Sequence, residues 1–298
     1  MTAALFGTEV VPLTNFAQVL TDGLMNGAIY GLVAAGLSLI WGVMDVINFA
    51  HGEFLMVAMY VCFWIGFKTG IDPLFSWAAA GVFLFVLSAS SYKLVVRRCI
   101  GKAAMAPLLA TFGLSLFLKN FCLNRFTPNF RLLSGTLTEG KVANLSGVLI
   151  PVPQLLTALF SLVVLGAVYY LIKKTRIGWA IQATAMDREA AELMGIDTER
   201  IFTLVFGMGG MCVGIAGGFM TSYLPVFPEV GALFSLIAFV VVALGGFGSI
   251  PGALCAALLI GLVESFAGFY IAPVIKYVAV FALYLAVIMV RPKGLFGW

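Results

Sequence analysis

Roughly nine stretches of mainly apolar residues follow one another along the chain, near 17–44, 50–67, 74–96, 104–123, 153–172, 201–223, 231–248, 251–270 and 273–290. Each is about as long as a helix must be to cross the hydrocarbon core of a bilayer, roughly 20 residues. Of the 298 residues, 62% are hydrophobic and only 10% are charged. So few charges suffice for loops and helix ends only if lipid covers most of the exterior. The sequence therefore predicts an all-α, polytopic transmembrane helical bundle of roughly eight to nine spans, with residues 1–298 forming a single membrane domain.

The cations sort by position. Lys93, Arg97, Arg98 and Lys102 follow the third run, Lys173, Lys174, Arg176, Arg188 and Arg200 follow the fifth, and Arg291 and Lys293 follow the last. If nine spans alternate, these eleven of the 17 Lys and Arg residues share one face, which the positive-inside rule makes cytoplasmic. The acidic N-terminus is then outside and the C-terminus inside. The same dispersal argues against a nucleic-acid reading of the net charge of +4, because that reading needs one basic patch. The first Lys or Arg is Lys68, so the positive region of a secretory signal is missing and the first run is expected to persist as a span. Cys62, Cys99, Cys122, Cys212 and Cys255 lie far apart, and His51 is the single histidine. The cysteines read as small hydrophobes, with no metal site or disulfide framework expected.

Glycines recur every fourth residue at Gly23, Gly27 and Gly31 in the first run and at Gly210, Gly214 and Gly218 in the sixth. In lipid, where helix association depends on close van der Waals contact, such flat stripes let another backbone approach. Each stripe precedes a polar or glycine-rich break. The first break runs Asp45-Val46-Ile47-Asn48-Phe49-Ala50-His51-Gly52-Glu53, and the second runs Gly245-Gly246-Phe247-Gly248-Ser249-Ile250-Pro251-Gly252. Read together they suggest a weak internal repeat with broken helices, a pattern that marks transport pathways because free backbone groups survive at depth only beside protein or water. Two placements stay open for the first break, at the midplane or in a cytoplasmic turn. Asn48, His51 and Glu53 concentrate an amide, an imidazole and a carboxylate in a highly apolar chain, an expensive combination if it lies in lipid. Lys119, Glu264 and Lys276 fall near outer helix ends, where snorkelling is expected.

No chemistry of the nucleotide-binding kind is visible. Gly101-Lys102 is followed by Ala103 and lacks the upstream glycine of a phosphate loop, and the Gly207–Gly218 stretch does not fit G-x-G-x-x-G. No enzyme motif survives inspection. Within the charged stretch 173–200, Asp187-Arg188-Glu189-Ala190-Ala191-Glu192-Leu193-Met194-Gly195 reads as a short helix capped by Asp187 and ended by Gly195. Ala190, Leu193 and Met194 would form an apolar edge able to seat in a partner's groove.

These residues resemble the branched-chain amino-acid permease family of ABC importers, particularly its LivH-type membrane subunits. The resemblance is carried by Asn26-Gly27-Ala28-Ile29-Tyr30-Gly31-Leu32, Ala35-Gly36-Leu37-Ser38-Leu39 and the highly specific Ile47-Asn48-Phe49-Ala50-His51-Gly52-Glu53. Further matches are Glu189-Ala190-Ala191 with Gly195-Ile196, similar to the cytoplasmic loop of ABC permeases, the Gly245–Gly252 segment, and the closing Arg291-Pro292-Lys293-Gly294-Leu295-Phe296-Gly297. The resemblance implies a multi-pass permease subunit in a bacterial or archaeal inner membrane. Its partners would be a related second permease, two cytoplasmic ATPases that hold ATP and Mg, and an external substrate-binding protein. This chain itself would bind no cofactor and catalyse nothing. Asn48, Phe49, His51, Gly52, Glu53, Gly245, Gly246 and Gly248 then become candidates for the substrate pathway or gate. Asp187, Arg188, Glu189, Ala190, Ala191 and Gly195 become candidates for ATPase coupling within 173–200. Leucine, isoleucine and valine are the expected cargo, with urea or short amides as the alternative. An ion-coupled secondary carrier or a passive channel would need no ATPase.

Overall fold

The computed structural model describes residues 13–103, 105–145, 147–292 and 294–296. Along the chain run α1 (Leu13–Met44), α2 (His51–Thr69), α3 (Pro73–Leu94) and α4 (Met105–Phe126), then the hairpin strands β1 (Val142–Leu145) and β2 (Val148–Pro151). They are followed by α5 (Val152–Lys174), α6 (Arg176–Met186), α7 (Arg188–Leu193), α8 (Thr198–Met220), α9 (Val230–Gly245), α10 (Ile250–Tyr270) and α11 (Lys276–Val290). Seven of these helices are long and apolar enough to cross a membrane, while α9 and α11, with 16 and 15 residues, are apolar but shorter. The apolar runs read from sequence near 231–248 and 273–290 extend beyond the helices because hydropathy does not report where a helix stops. Here turns at Gly246–Ser249 and Ile271–Ile275 take up the excess. The hairpin, with Val142 opposite Pro151 and Leu145 opposite Val148, is an addition to the all-helical expectation. The N-terminal residues 1–12, on which the expected outside N-terminus rests, lie outside the described residues, as do Lys293 and Gly297.

The glycine stripes face helices from the opposite half of the chain. A Cβ built on Gly23, Gly27 or Gly31 of α1 would meet Leu262, Leu258 or Leu254 of α10, at 2.9, 2.7 and 3.1 Å. On α8, Gly214 meets Leu84 and Ala80 of α3 at 2.8 and 3.0 Å, Gly218 meets Trp77 at 2.8 Å, and Gly210 abuts Ser88. As the α1 numbers rise the α10 numbers fall, so the pair is antiparallel, and the same holds for α8 with α3. The first helix of each half is thus packed on the third long helix of the other.

The order of the second half echoes that of the first. Helices α2 and α9 both follow an irregular segment, 45–50 and 221–229 respectively. Helices α3 and α10 both begin with a proline in the first turn and a capped N-terminus: Asp72 accepts from Leu74 N at 2.8 Å, and Ser249 accepts from Gly252 N at 3.1 Å. This order corrects the pairing of breaks read from sequence. The structural counterpart of 45–50 is 221–229, whereas Gly245–Gly252 corresponds to the tight turn Gly70–Pro73 between α2 and α3. Composition misled because 221–229 contains Pro225, Phe227 and Pro228 rather than a glycine run.

Glu264 also departs from expectation. It does not snorkel: it is buried on α10, accepts from Tyr30 Oη at 2.8 Å and pairs with Lys276 Nζ at 2.9 Å. Lys119 lies 3.9 Å from Glu229. Among the five cysteines, all free, Cys62, Cys122 and Cys212 are buried and Cys255 is exposed.

Candidate functional site

The first break returns into the bundle. After Met44 the chain turns at Asp45, whose φ is 50°, and runs without helix to Ala50. His51, the first residue of α2, then donates from Nε2 to the Val33 carbonyl at 2.8 Å, and a Cβ built on Gly36 would lie 3.2 Å from its ring. Val33 lies eleven residues before the end of α1, or about 16 Å along the axis at 1.5 Å per residue. The start of α2 therefore sits deep beside the middle of α1 instead of in a turn at its end. Such non-helical backbone survives at depth because its polar groups are held by protein. Thr111 Oγ1 on α4 donates to the Ile47 carbonyl at 2.9 Å, and the Asn48 side-chain oxygen accepts from Ala50 N at 3.1 Å.

At this point the start of α2 meets the start of α9. The backbones of Gly52 and Gly231 touch, and Gly52 N donates to Ser235 Oγ at 2.9 Å. Asn48 and His51 are fully buried and Glu53 nearly so. Asn48 Nδ2, His51 Nδ1 and Glu53 Oε2 have no hydrogen-bond partner among the described residues. Unpaired polar atoms are costly in an apolar interior, so three of them on one short segment call for a functional explanation.

Beside them lies an open cavity of about 520 Å³, lined by Phe49 and Glu53 from the break and α2, Ser115 from α4, Ser235 from α9, and Phe247 and Tyr284 from farther along. Phe49 stands between Phe112 and Phe239, at ring distances of 6.1 and 5.2 Å. The walls are chiefly aromatic and aliphatic, with Glu53, Ser115 and Ser235 as polar points. Of the candidate pathway residues, Phe49 and Glu53 line this space, whereas Asn48, His51 and Gly52 brace it from behind. Gly245, Gly246 and Gly248 do not join them. They form the turn that holds Phe247 stacked on Trp41 at 4.4 Å: Gly248 lies against Gly42 of α1, and Gly245 lies against Gly252. Ser115 and Ser235 carried no sequence signal, since isolated serines in apolar helices are common packing residues. Only the crossing of α2, α4 and α9 brings them together.

The charged stretch forms its own surface. Asp187 caps α7 by accepting from Ala190 N at 3.0 Å. At the other end Gly195, with φ of 83°, donates to the Glu192 carbonyl, and Ile196 N returns to the Ala191 carbonyl, both at 3.0 Å. A left-handed residue closing a helix in this way is strongly biased to glycine. Ala191 faces the protein, whereas Arg188, Glu189 and Ala190 are exposed. Met186, Leu193 and Met194 are 88%, 89% and 83% exposed, an apolar edge without a partner among the described residues. The Thr198 hydroxyl, and then Arg188, hold the Glu192 carboxyl below the usual carboxylate range. A depressed carboxylate stabilises the fold fully above its ordinary pKa, and that contribution is lost as pH falls through the lower folded value. At neutral pH the anchor of α7 on α8 is therefore complete.

A family model described as "Branched-chain amino acid transport system / permease component" matches residues 19–290. The chain belongs to this family. Among similar permeases, BraD of Pseudomonas aeruginosa, a high-affinity branched-chain amino acid transport system permease protein, is 32% identical across 95% of this chain and 96% of its own length. LivH of Escherichia coli K12, of the same description, is 31% identical with the same coverage. The ribose import permease RbsC of Haemophilus influenzae is 34% identical but over 39% of this chain and 37% of its own. In fold the permease is similar to a solved structure described as PsaBC from Streptococcus pneumoniae in complex with Fab. That likeness has a TM-score of 0.52 and 14% identity, and it covers 93% and 94% of the two chains.

Proposed function

We propose that this permease is one membrane-spanning subunit of an ATP-driven ABC importer for small amino acids, with leucine, isoleucine and valine as cargo. The observation that carries the reading is end-to-end similarity to LivH and BraD, whose descriptions name that transport. The aromatic-walled cavity beside Glu53 supports it, because it offers room and few charges to a small zwitterionic or neutral solute. In this reading a second permease subunit covers the cavity's open flank. The exposed edge of α7, within a coupling loop spanning 173–200, seats in one of two cytoplasmic ATPases. ATP and Mg stay in those partners, and an external binding protein delivers the cargo. This chain's own residues dock the motor and shape the path: closure of the ATPases displaces α7, and α8, tied to it through Glu192 and Thr198, carries that displacement to α3 and α2. The cation-rich end, with Lys93, Arg97, Arg188 and Arg200, faces the cytoplasm in a bacterial or archaeal inner membrane.

Proteoliposomes holding this chain with its copurifying subunits and binding protein are expected to accumulate L-leucine only when ATP is supplied on the cytoplasmic side. Vesicles with this chain alone that concentrate leucine from an ion gradient would replace the reading with a secondary carrier. Ribose uptake in place of leucine would favour the partial likeness to RbsC. In the working complex, Glu53→Gln and His51→Ala are expected to lower uptake at least about tenfold at matched membrane levels, since the first removes the one carboxylate lining the cavity and the second removes the buried bond that fixes the start of α2 to Val33. Wild-type uptake in both variants would remove the break from the pathway.

A further inference from the structure

Helix α9 separates two cavities. Ser235, Leu236 and Phe239 face the one beside Glu53, while Leu233, Phe234 and Ile237 face a second of about 410 Å³. The second cavity lies toward the end of the bundle remote from α7, between α1, α10 and the start of α11. At its polar end Glu264 pairs with Lys276 at 2.9 Å and accepts from Tyr30 Oη at 2.8 Å, while Gln154 donates to Asn26 at 2.9 Å. Its other walls are chiefly apolar, with Ile29, Met220, Leu233, Phe234 and Ile237 joined by the rings of Tyr223 and Tyr277.

An ion pair whose carboxylate is buried among membrane helices is an expensive arrangement and by default a functional one. This pair also has spare capacity. A carboxylate offers about four lone-pair sites and an ammonium three donors, yet Glu264 accepts one bond on each oxygen, and Lys276 donates one to Glu264 with the Tyr277 ring 4.7 Å from its Nζ. Both side chains line the cavity. Adjacent opposite charges beside an apolar wall are complementary to a molecule with an ammonium and a carboxylate on one carbon and an aliphatic side chain beyond it.

We infer that this second cavity is a binding site for a zwitterionic α-amino acid with an apolar side chain, its carboxylate held by Lys276, its ammonium by Glu264, and its side chain laid against Leu233, Phe234 and Ile237. The inference rests on the amino-acid import reading and adds to it a station separate from the cavity beside Glu53. A ligand lacking either charge leaves its counterpart in the ion pair without the second partner, so discrimination falls on the head group.

The test is equilibrium binding of tritiated L-leucine to the full-length chain in phospholipid nanodiscs, without ATP or binding protein. Saturable binding is expected, with isocaproate, which lacks the amine, and isoamylamine, which lacks the carboxylate, each competing at least about tenfold less well than leucine. Lys276→Gln and Glu264→Gln should weaken binding by a similar factor. Should either variant fail to fold, Leu233→Trp, outside the ion pair, narrows the apolar end and is expected to weaken leucine more than alanine. Absence of saturable binding, equal competition by isocaproate, as an acyl-chain or lipid site would give, or unchanged affinity in Leu233→Trp would each overturn the site. ATP-driven leucine uptake by the complete complex is measured in parallel. Uptake without binding rejects this site and leaves the import reading intact, whereas binding without uptake rejects the import reading and leaves the site.

Discussion

Gly52→Ala is expected to abolish the stably folded permease, at a cost above about 3 kcal/mol, well beyond the usual 1–3 for an overpacked core. The added methyl would fall on the Gly231 carbonyl oxygen and Ser235 Oγ. Neither can rotate away: one is backbone, and the other is held by the Gly52 N–H at 2.9 Å. Relief requires α2 and α9 to part, which breaks that bond and disturbs the buried start of α2, where His51 is fixed to Val33. Gly166→Ala on α5 is the control, because a Cβ there meets nothing within 4 Å. It should be neutral or stabilise by up to about 1 kcal/mol through helix propensity. Yield of monodisperse protein in mild detergent and its thermal midpoint separate the two. A Gly52→Ala protein as stable as wild type would mean that the helix contact is looser than described.

The second large effect concerns association. Leu193→Asp combined with Met194→Asp is expected to weaken capture of the ATPase subunits at least about 30-fold, or about 2 kcal/mol, with the chain's own thermal midpoint unchanged. Both side chains are almost wholly exposed, so their loss costs this chain no packing. Gly195→Pro should give the same result by a different route: proline cannot adopt φ of 83° and lacks the N–H that reaches the Glu192 carbonyl, so the end of α7 unwinds. Copurification of ATPase with tagged permease, quantified against wild type, is the readout. Undiminished capture in all three substitutions would place the docking surface elsewhere on the cation-rich face.

Much of the architecture is legible in the sequence because lipid imposes simple demands. Apolar run length locates the spans, and Asp187 with Gly195 brackets α7 through local chemistry alone. The glycine stripes announce close packing but not their partners, since a flat surface at Gly23, Gly27 and Gly31 does not encode which helix will meet it. The choice of Leu254, Leu258 and Leu262 on α10 emerges only in the fold. The polar break at Asn48–Glu53 was visible as an anomaly, yet its depth depends on six residues doubling back along α1, a path that composition cannot express. Glu264 misled for the same reason: its partner Tyr30 lies 234 residues away in the chain. Gly245–Gly252 does not pair with the first break because two segments can share a composition without sharing a position in the fold.

The exchange of helices between halves has a consequence for how the chain is made. When α1 leaves the insertion machinery, the surface that will receive its glycine stripe has not been synthesised, and it does not exist until residue 262 has emerged. Meanwhile α3 waits in the same way for α8. Early intermediates therefore carry two unpartnered faces in the bilayer, the glycine stripe of α1 and the α3 face at Trp77, Ala80 and Leu84 that receives α8, and neither half can mature as an independent unit. A chain stopped after α5 would leave both faces bare to lipid, so the bundle closes only once α8 and α10 have arrived.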